Sequence, residues 1–110
     1  MRRAEAIHVV EKGVKILNLR PRSDAGEGIW ETAYWIVGEK TAASLIGGKV
    51  YVHRGQNVPS HAGGRIIEIY HEPGTAQRRR VIRFAATADC QGVTADREGW
   101  GNERKIIWQS

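Results

Sequence analysis

The sequence predicts an α+β domain that is mainly β: a small curled antiparallel sheet, or a partly open β-barrel, with one or two short helices. Three observations carry this expectation. Aromatic and β-branched residues gather in short runs with period-two alternation. Turns rich in Gly, Pro and polar residues separate those runs. Only one stretch has helical spacing, so a parallel βαβ architecture, which needs a crossover for each parallel pair, is not expected. At 110 residues the chain is too short for two ordinary cores, and residues 1–110 are expected to form a single domain.

Residues 7–19, IHVVEKGVKILNL, carry Val14, Ile16, Leu17 and Leu19 after Gly13, which fits a strand pair or a bent strand better than a helical stripe. The polar, glycine-bearing segment from Pro21 to Gly28 reads as an exposed loop. Next, IWETAYWIV at 29–37 has the aromatic and β-branched density of a central strand. Strict alternation would put Trp30, Thr32, Tyr34 and Ile36 on one face and Glu31, Ala33, Trp35 and Val37 on the other, a tryptophan on each. Residues 39–46 switch to helix formers, with Ala42, Leu45 and Ile46 on one side and Gly47-Gly48 as the stop.

KVYVHR at 49–54 is a strand with Val50 and Val52 opposite Tyr51 and His53. Arg65–His71 and Arg80–Ala88 are expected to pair as an antiparallel hairpin around Pro73-Gly74, and RKIIW near the C-terminus supplies a last strand. Between the apolar runs 50–52 and 66–70 lies a polar elbow holding His53, Arg54, Gln56, Asn57, Ser60 and His61. A solvated connection needs few such side chains, so the elbow is where the sequence points for a site. Gly63-Gly64 marks backbone that turns tightly or lies close to another group, and a flat ligand is one such group.

With 41% hydrophobic and 26% charged residues the composition is globular. The apolar runs are too short for a membrane span, and no hydrophobic signal region follows Met1, so a cytoplasmic protein is the default expectation. A net charge of +5 favours an anionic partner, and Arg78-Arg79-Arg80, joined by Arg83, is the densest basic run. That run reads either as a solvated hairpin end or as a phosphate-contacting edge. Cys90, the single cysteine, allows no intrachain disulfide or thiolate cluster and reads as a half-buried structural thiol.

His53 and His61 flank the elbow closely enough to converge, yet no zinc-type spacing accompanies them, and no metal or cofactor is expected. Gly47-Gly48-Lys49 leads into a strand rather than opening a helix, which excludes a P-loop. Four tryptophans are many for this length. Trp30, Tyr34 and Trp35 are either core or an aromatic platform on which a base stacks. Gln56, Asn57 and Ser60 can pair with base edges.

YWIV, a short helix ending in glycine, GGKVYVHR, a loop and GGRIIEIY together resemble the PUA-like superfamily, nearer its EVE and ASCH branches. The matching positions are Tyr34-Trp35, Val50–His53 and Gly64–Ile69, within residues 29–88. The resemblance implies a small β-barrel-like domain that binds modified or extruded bases in RNA or DNA, usually without catalysis. Trp30, Tyr34 or Trp35 would stack, and His53, Gln56, Asn57 and Ser60 would read polar edges. Arg54, Arg78, Arg79 and Arg80 would meet phosphate. Two alternatives stand beside this one. The first is a small enzyme using His53 or His61 as acid and base on a phosphodiester or nucleotide; the second is an interaction subunit whose Trp100 and Trp108 tail docks a protein partner.

Overall fold

The computed structural model of the chain describes residues 3–11, 19–21, 28–95, 100–101 and 104–108. Seven strands, β1 (Ala4–Val10), β2 (Leu19–Pro21), β3 (Ile29–Ile36), β4 (Lys49–His53), β5 (Ala62–Tyr70), β6 (Arg79–Ala86) and β7 (Arg104–Trp108), form one sheet. A single α-helix, α1 (Glu39–Leu45), and a 3-10 turn at Ala88–Cys90 complete the regular structure among the described residues. The sheet order β2-β3-β6-β5-β4-β1-β7 is curled and partly open, as the mainly β composition of the runs implied. Val14, Ile16 and Leu17, and most of the loop expected between Pro21 and Gly28, lie outside the described residues. No helix described is long and apolar enough to cross a membrane.

Every neighbouring pair is antiparallel except one: β1 and β4 run parallel, with Ile7 beside Val50 and Val9 beside Val52. The sheet is thus antiparallel as expected apart from this one pair, which the sequence pattern did not mark. The connection from β1 to β4 passes through β2, β3 and α1, so one helix suffices because only one parallel contact is made.

The core lies on one face of the sheet, under α1. Ile7, Val9, Trp35, Val50, Val52, Ile66, Ile82 and Phe84 are buried there with Ala42 and Leu45 of the helix. Alternation places Val50 and Val52 in this core and sends Tyr51 and His53 to the other face.

Register shifts break that regularity in three strands: in β1 against β7, between Ala4 and Ala6, and in β3 and β5. In β3 the register against β6 shifts between Thr32 and Trp35, which changes the phase of the strand. Trp30 pairs with Phe84 of the core, and Trp35, beyond the shift, is again in the core. The two tryptophans therefore share a face, contrary to strict alternation. In β5 the shift between Ile66 and Glu68 leaves Ile67 exposed.

β5 begins at Ala62, so Gly63 and Gly64 are strand residues and not part of a turn. Their lack of a side chain serves strand packing. A Cβ on Gly64 would stand 1.9 Å from the Ala85 carbonyl oxygen, and one on Gly63 would stand 2.2 Å from that of Val50. The group they approach is neighbouring backbone, and it permits the tight curl of β4, β5 and β6.

Candidate functional site

The end of the sheet where β4 leaves and β5 enters carries two adjoining features: a cavity at the mouth of the half-barrel and a row of histidines on the face opposite the core. His61 belongs to both.

The cavity has a volume of about 280 Å³ and is lined mainly by Trp30, Phe84, His61, Gly63, Ala86 and Gln91. Trp30 is placed there by its pairing with Phe84 at the start of β3, and it is partly buried against the core. Gln91, exposed at the rim, follows the 3-10 turn that carries Cys90. The walls are aromatic and the rim polar, the usual make-up of a small-molecule pocket.

Across the sheet, His8 of β1 and His53 of β4 meet, with His8 Nδ1 2.7 Å from His53 Nε2. Nδ1 of His53 lies 2.7 Å from the Val58 carbonyl oxygen. A carbonyl only accepts, so His53 Nδ1 carries the proton and donates. In the neutral ring Nε2 is then a lone pair, and His8 Nδ1–H must donate to it, which leaves His8 Nε2 unprotonated. Tyr51 stacks on His8 at 4.6 Å between centroids, and Trp100 sets its edge against both imidazoles.

Burial, then the proximity of His53 and Lys105, pulls the His8 imidazole from 6.5 down to about 4. Burial also lowers His53, against the opposing pull of the Val58 carbonyl. For His61 the lowering comes from burial first, then from Arg54 and His53. Burial raises the Glu11 carboxyl while Arg54 opposes it. Among the described residues, three buried polar atoms, Glu11 Oε2, His61 Nε2 and Trp100 Nε1, have no hydrogen-bond partner.

The structure distributes the residues singled out by sequence. Trp35 is core, 1% exposed, and donates its Nε1–H to Thr32 Oγ1 at 3.0 Å. Tyr34 donates its hydroxyl to Glu72. His53 is fully buried with both ring nitrogens engaged, so neither is open to a ligand. Ser60 is a clamp: its Oγ–H donates to the Cys90 carbonyl at 2.6 Å and its Oγ accepts from Val93 N–H at 3.0 Å. Gln56, Asn57 and Arg54 are exposed on the elbow. His53 and Ser60 thus account for much of the polar elbow by closing it internally. Cys90 is fully buried, deeper than the half-buried thiol expected, and accepts from Thr87 Oγ1–H at 3.3 Å.

The basic run lies elsewhere. Tyr70 pairs with Val81 while Gly64 pairs with Ala86, so Arg78–Arg80 sit at the far end of the β5–β6 hairpin from the elbow, about 20 Å along the strands. One surface joining elbow and arginine run is therefore not formed. Within the run, Arg79 Nη1–H donates to the Tyr34 carbonyl and Arg80 Nε–H to that of Val37, each at 2.9 Å. No group of three or more potential metal ligands occurs among the described residues.

Sequence reasoning passed over His8, Gln91 and Phe84 as site residues, and it gave Trp100 to a partner-docking tail and not to the histidine pair. His8 carried a usable signal, since in Ile7-His8-Val9 alternation alone sends it away from the core. Its meeting with His53 depends on the parallel pairing of strands more than 40 residues apart, which periodicity does not encode. No protein family, curated protein or solved structure matches the chain.

Proposed function

We propose that the chain is a nucleic-acid-binding module that takes one extruded or modified base into the mouth cavity, stacked on Trp30. The observation that carries this reading is the cavity itself: an aromatic side chain held against the core, facing a small space with His61 and Gln91 beside it. Its volume of about 280 Å³ suits a single planar ring system and not a whole folded ligand. His61, lowered by burial, is neutral at pH 7 and offers one donor and one acceptor. Gln91 offers both as well, the pairing a base edge requires. A net charge of +5 gives the polymer a reason to approach.

Stacking is worth about 1–3 kcal/mol per base, so loss of Trp30 weakens binding by roughly tenfold or more. The test is a titration of short DNA and RNA strands, with and without methylated or hydroxymethylated bases, at two salt concentrations. Expected is selectivity for one base that survives the higher salt and disappears in Trp30→Ala, with cooperative unfolding retained. Binding that merely falls with salt, equally in wild type and Trp30→Ala, reports counterion release from a basic surface and defeats the proposal.

A further inference from the structure

Curling of the sheet brings the start of the edge strand β7, where Arg104 pairs with Val9, towards the end of β3. The space between them is an open cavity of about 540 Å³ whose wall includes Arg78, Arg80, Arg104, Gln77, Glu39 and Val37. The three guanidinium groups come from the hairpin loop, from β6 and from β7. Arg80 is oriented by its Nε–H bond to the Val37 carbonyl, which leaves the Nη groups of the fork uncommitted. Arg79, the intervening residue, is diverted to the Tyr34 carbonyl.

None of Arg78, Arg80 and Arg104 forms an ion pair among the described residues, and Glu39, in the same wall, pairs with none of them. Elsewhere the fold does pair its arginines. Arg83 lies 3.1 Å from Glu31 and 3.2 Å from Glu68. Three cations gathered around one cavity repel one another, and a bound anion relieves that repulsion. The fork geometry of guanidinium matches phosphate oxygens in pairs, which a lone ammonium does not.

We propose that this cavity is a binding site for phosphoryl groups, held by Arg78, Arg80 and Arg104. It lies about 14–20 Å from the Trp30 cavity along β6, from Phe84 and Ala86 to Arg80, and it stands whether or not a base binds there. The shared chemistry is phosphate, either the terminal phosphates of a small molecule or the phosphodiester backbone of a nucleic acid.

Calorimetric titration of the full chain with tripolyphosphate tests it. Saturable binding at one equivalent is expected, weakened at least tenfold in Arg104→Ala and in Arg78→Ala. Arg80→Lys, which keeps the charge but loses the fork, should weaken it as well. Arg65→Ala removes an equal charge from an exposed position on β5 and leaves the affinity unchanged. Absence of saturable binding overturns the site, as does an Arg65→Ala effect equal to that of Arg104→Ala, which would signify net charge alone. Unfolding midpoints of Arg104→Ala and Arg78→Ala equal to wild type show that any lost binding is local. Competition by an abasic oligonucleotide then assigns the phosphate to a nucleic-acid backbone, and failure to compete assigns it to a terminal phosphate.

Discussion

His8 donates Nδ1–H to Nε2 of His53 across 2.7 Å, two buried neutral imidazoles joined between parallel strands. The direction of that bond is fixed by a third group, the Val58 carbonyl, which demands a proton on the other side of His53. A single hydrogen-bonded line therefore runs from the elbow through β4 to β1. It ties the conformation of the elbow to the protonation state of the pair.

That line makes stability pH-dependent in a definite direction. The His8 imidazole titrates at 6.5 when unfolded and at about 4 when folded, so between these values the unfolded chain binds more protons. The His8 contribution to stability is fully present above pH 6.5 and is lost as pH falls through about 4. Glu11, raised by burial, acts in the opposite sense and blunts the slope, while Asp89, held down to about 2 by Lys49, titrates below the window. We expect a loss of about 2 kcal/mol on acidification across the window. Thermal unfolding of wild type against the double variant His8→Phe, His53→Leu measures it, and an equally steep acid loss in both would remove the histidines as its source.

Ser60 governs access to the lone thiol. Its side chain holds both the Cys90 carbonyl and the Val93 N–H, and its main chain pairs with Val93 and Gly92. Ser60→Ala leaves two groups without their partner, at a cost of about 1–2 kcal/mol. Cys90 has no exposed surface, and burial raises its thiol above the ordinary range while the Thr87 hydroxyl opposes the shift. Reaction with Ellman's reagent should therefore be slow in wild type and at least tenfold faster in Ser60→Ala. Equal rates would mean that opening of the 88–93 segment does not depend on this clamp.

The elements legible in the sequence are those that depend on local pattern. Apolar and β-branched density marked β3, β4, β6 and β7, and the run Glu39–Leu45 with its glycine stop marked α1. Features that depend on a partner were not legible. The bulge in β3 is defined only against β6, so alternation put Trp30 and Trp35 on opposite faces when they share one. For the same reason Gly63-Gly64 left a tight turn and a close approach both open, and the nearby carbonyls of Val50 and Ala85 show the close approach, to backbone and not to a ligand. Trp30 remained in the candidate site because it sits at the strand's start, before the bulge. Gln91 and Arg104 were missed because nothing in their own neighbourhoods distinguishes them from ordinary surface residues.

Gly64 offers a direct check on the close approach of β5 to β6. The Cβ of Gly64→Ala meets the backbone oxygen of Ala85, which no rotamer change relieves. The strands must separate, and the expected loss is at least about 2 kcal/mol. Gly38→Ala is the control. Gly38 has a φ of -67 with no atom within 4 Å of the added carbon, and its substitution should change stability by under about 0.5 kcal/mol. Denaturant midpoints compare the two, and a mild Gly64→Ala would mean that the strands are further apart.

The two tryptophans of β3 should separate core from site. Trp35 is 1% exposed and hydrogen-bonded to Thr32, so Trp35→Ala opens a cavity in the centre of the core at a cost of about 3–5 kcal/mol. Trp30 lies against the same core but with one side on the mouth cavity, and Trp30→Ala should cost well under half as much. Base binding is expected to show the reverse order. Trp35→Phe, which keeps an aromatic ring in the core, retains base affinity within about twofold, whereas Trp30→Ala loses roughly tenfold or more. Parallel measurement of denaturant midpoints and oligonucleotide affinity decides the matter: if the two properties fall together in both variants, Trp30 is a core residue and the mouth cavity is a packing defect.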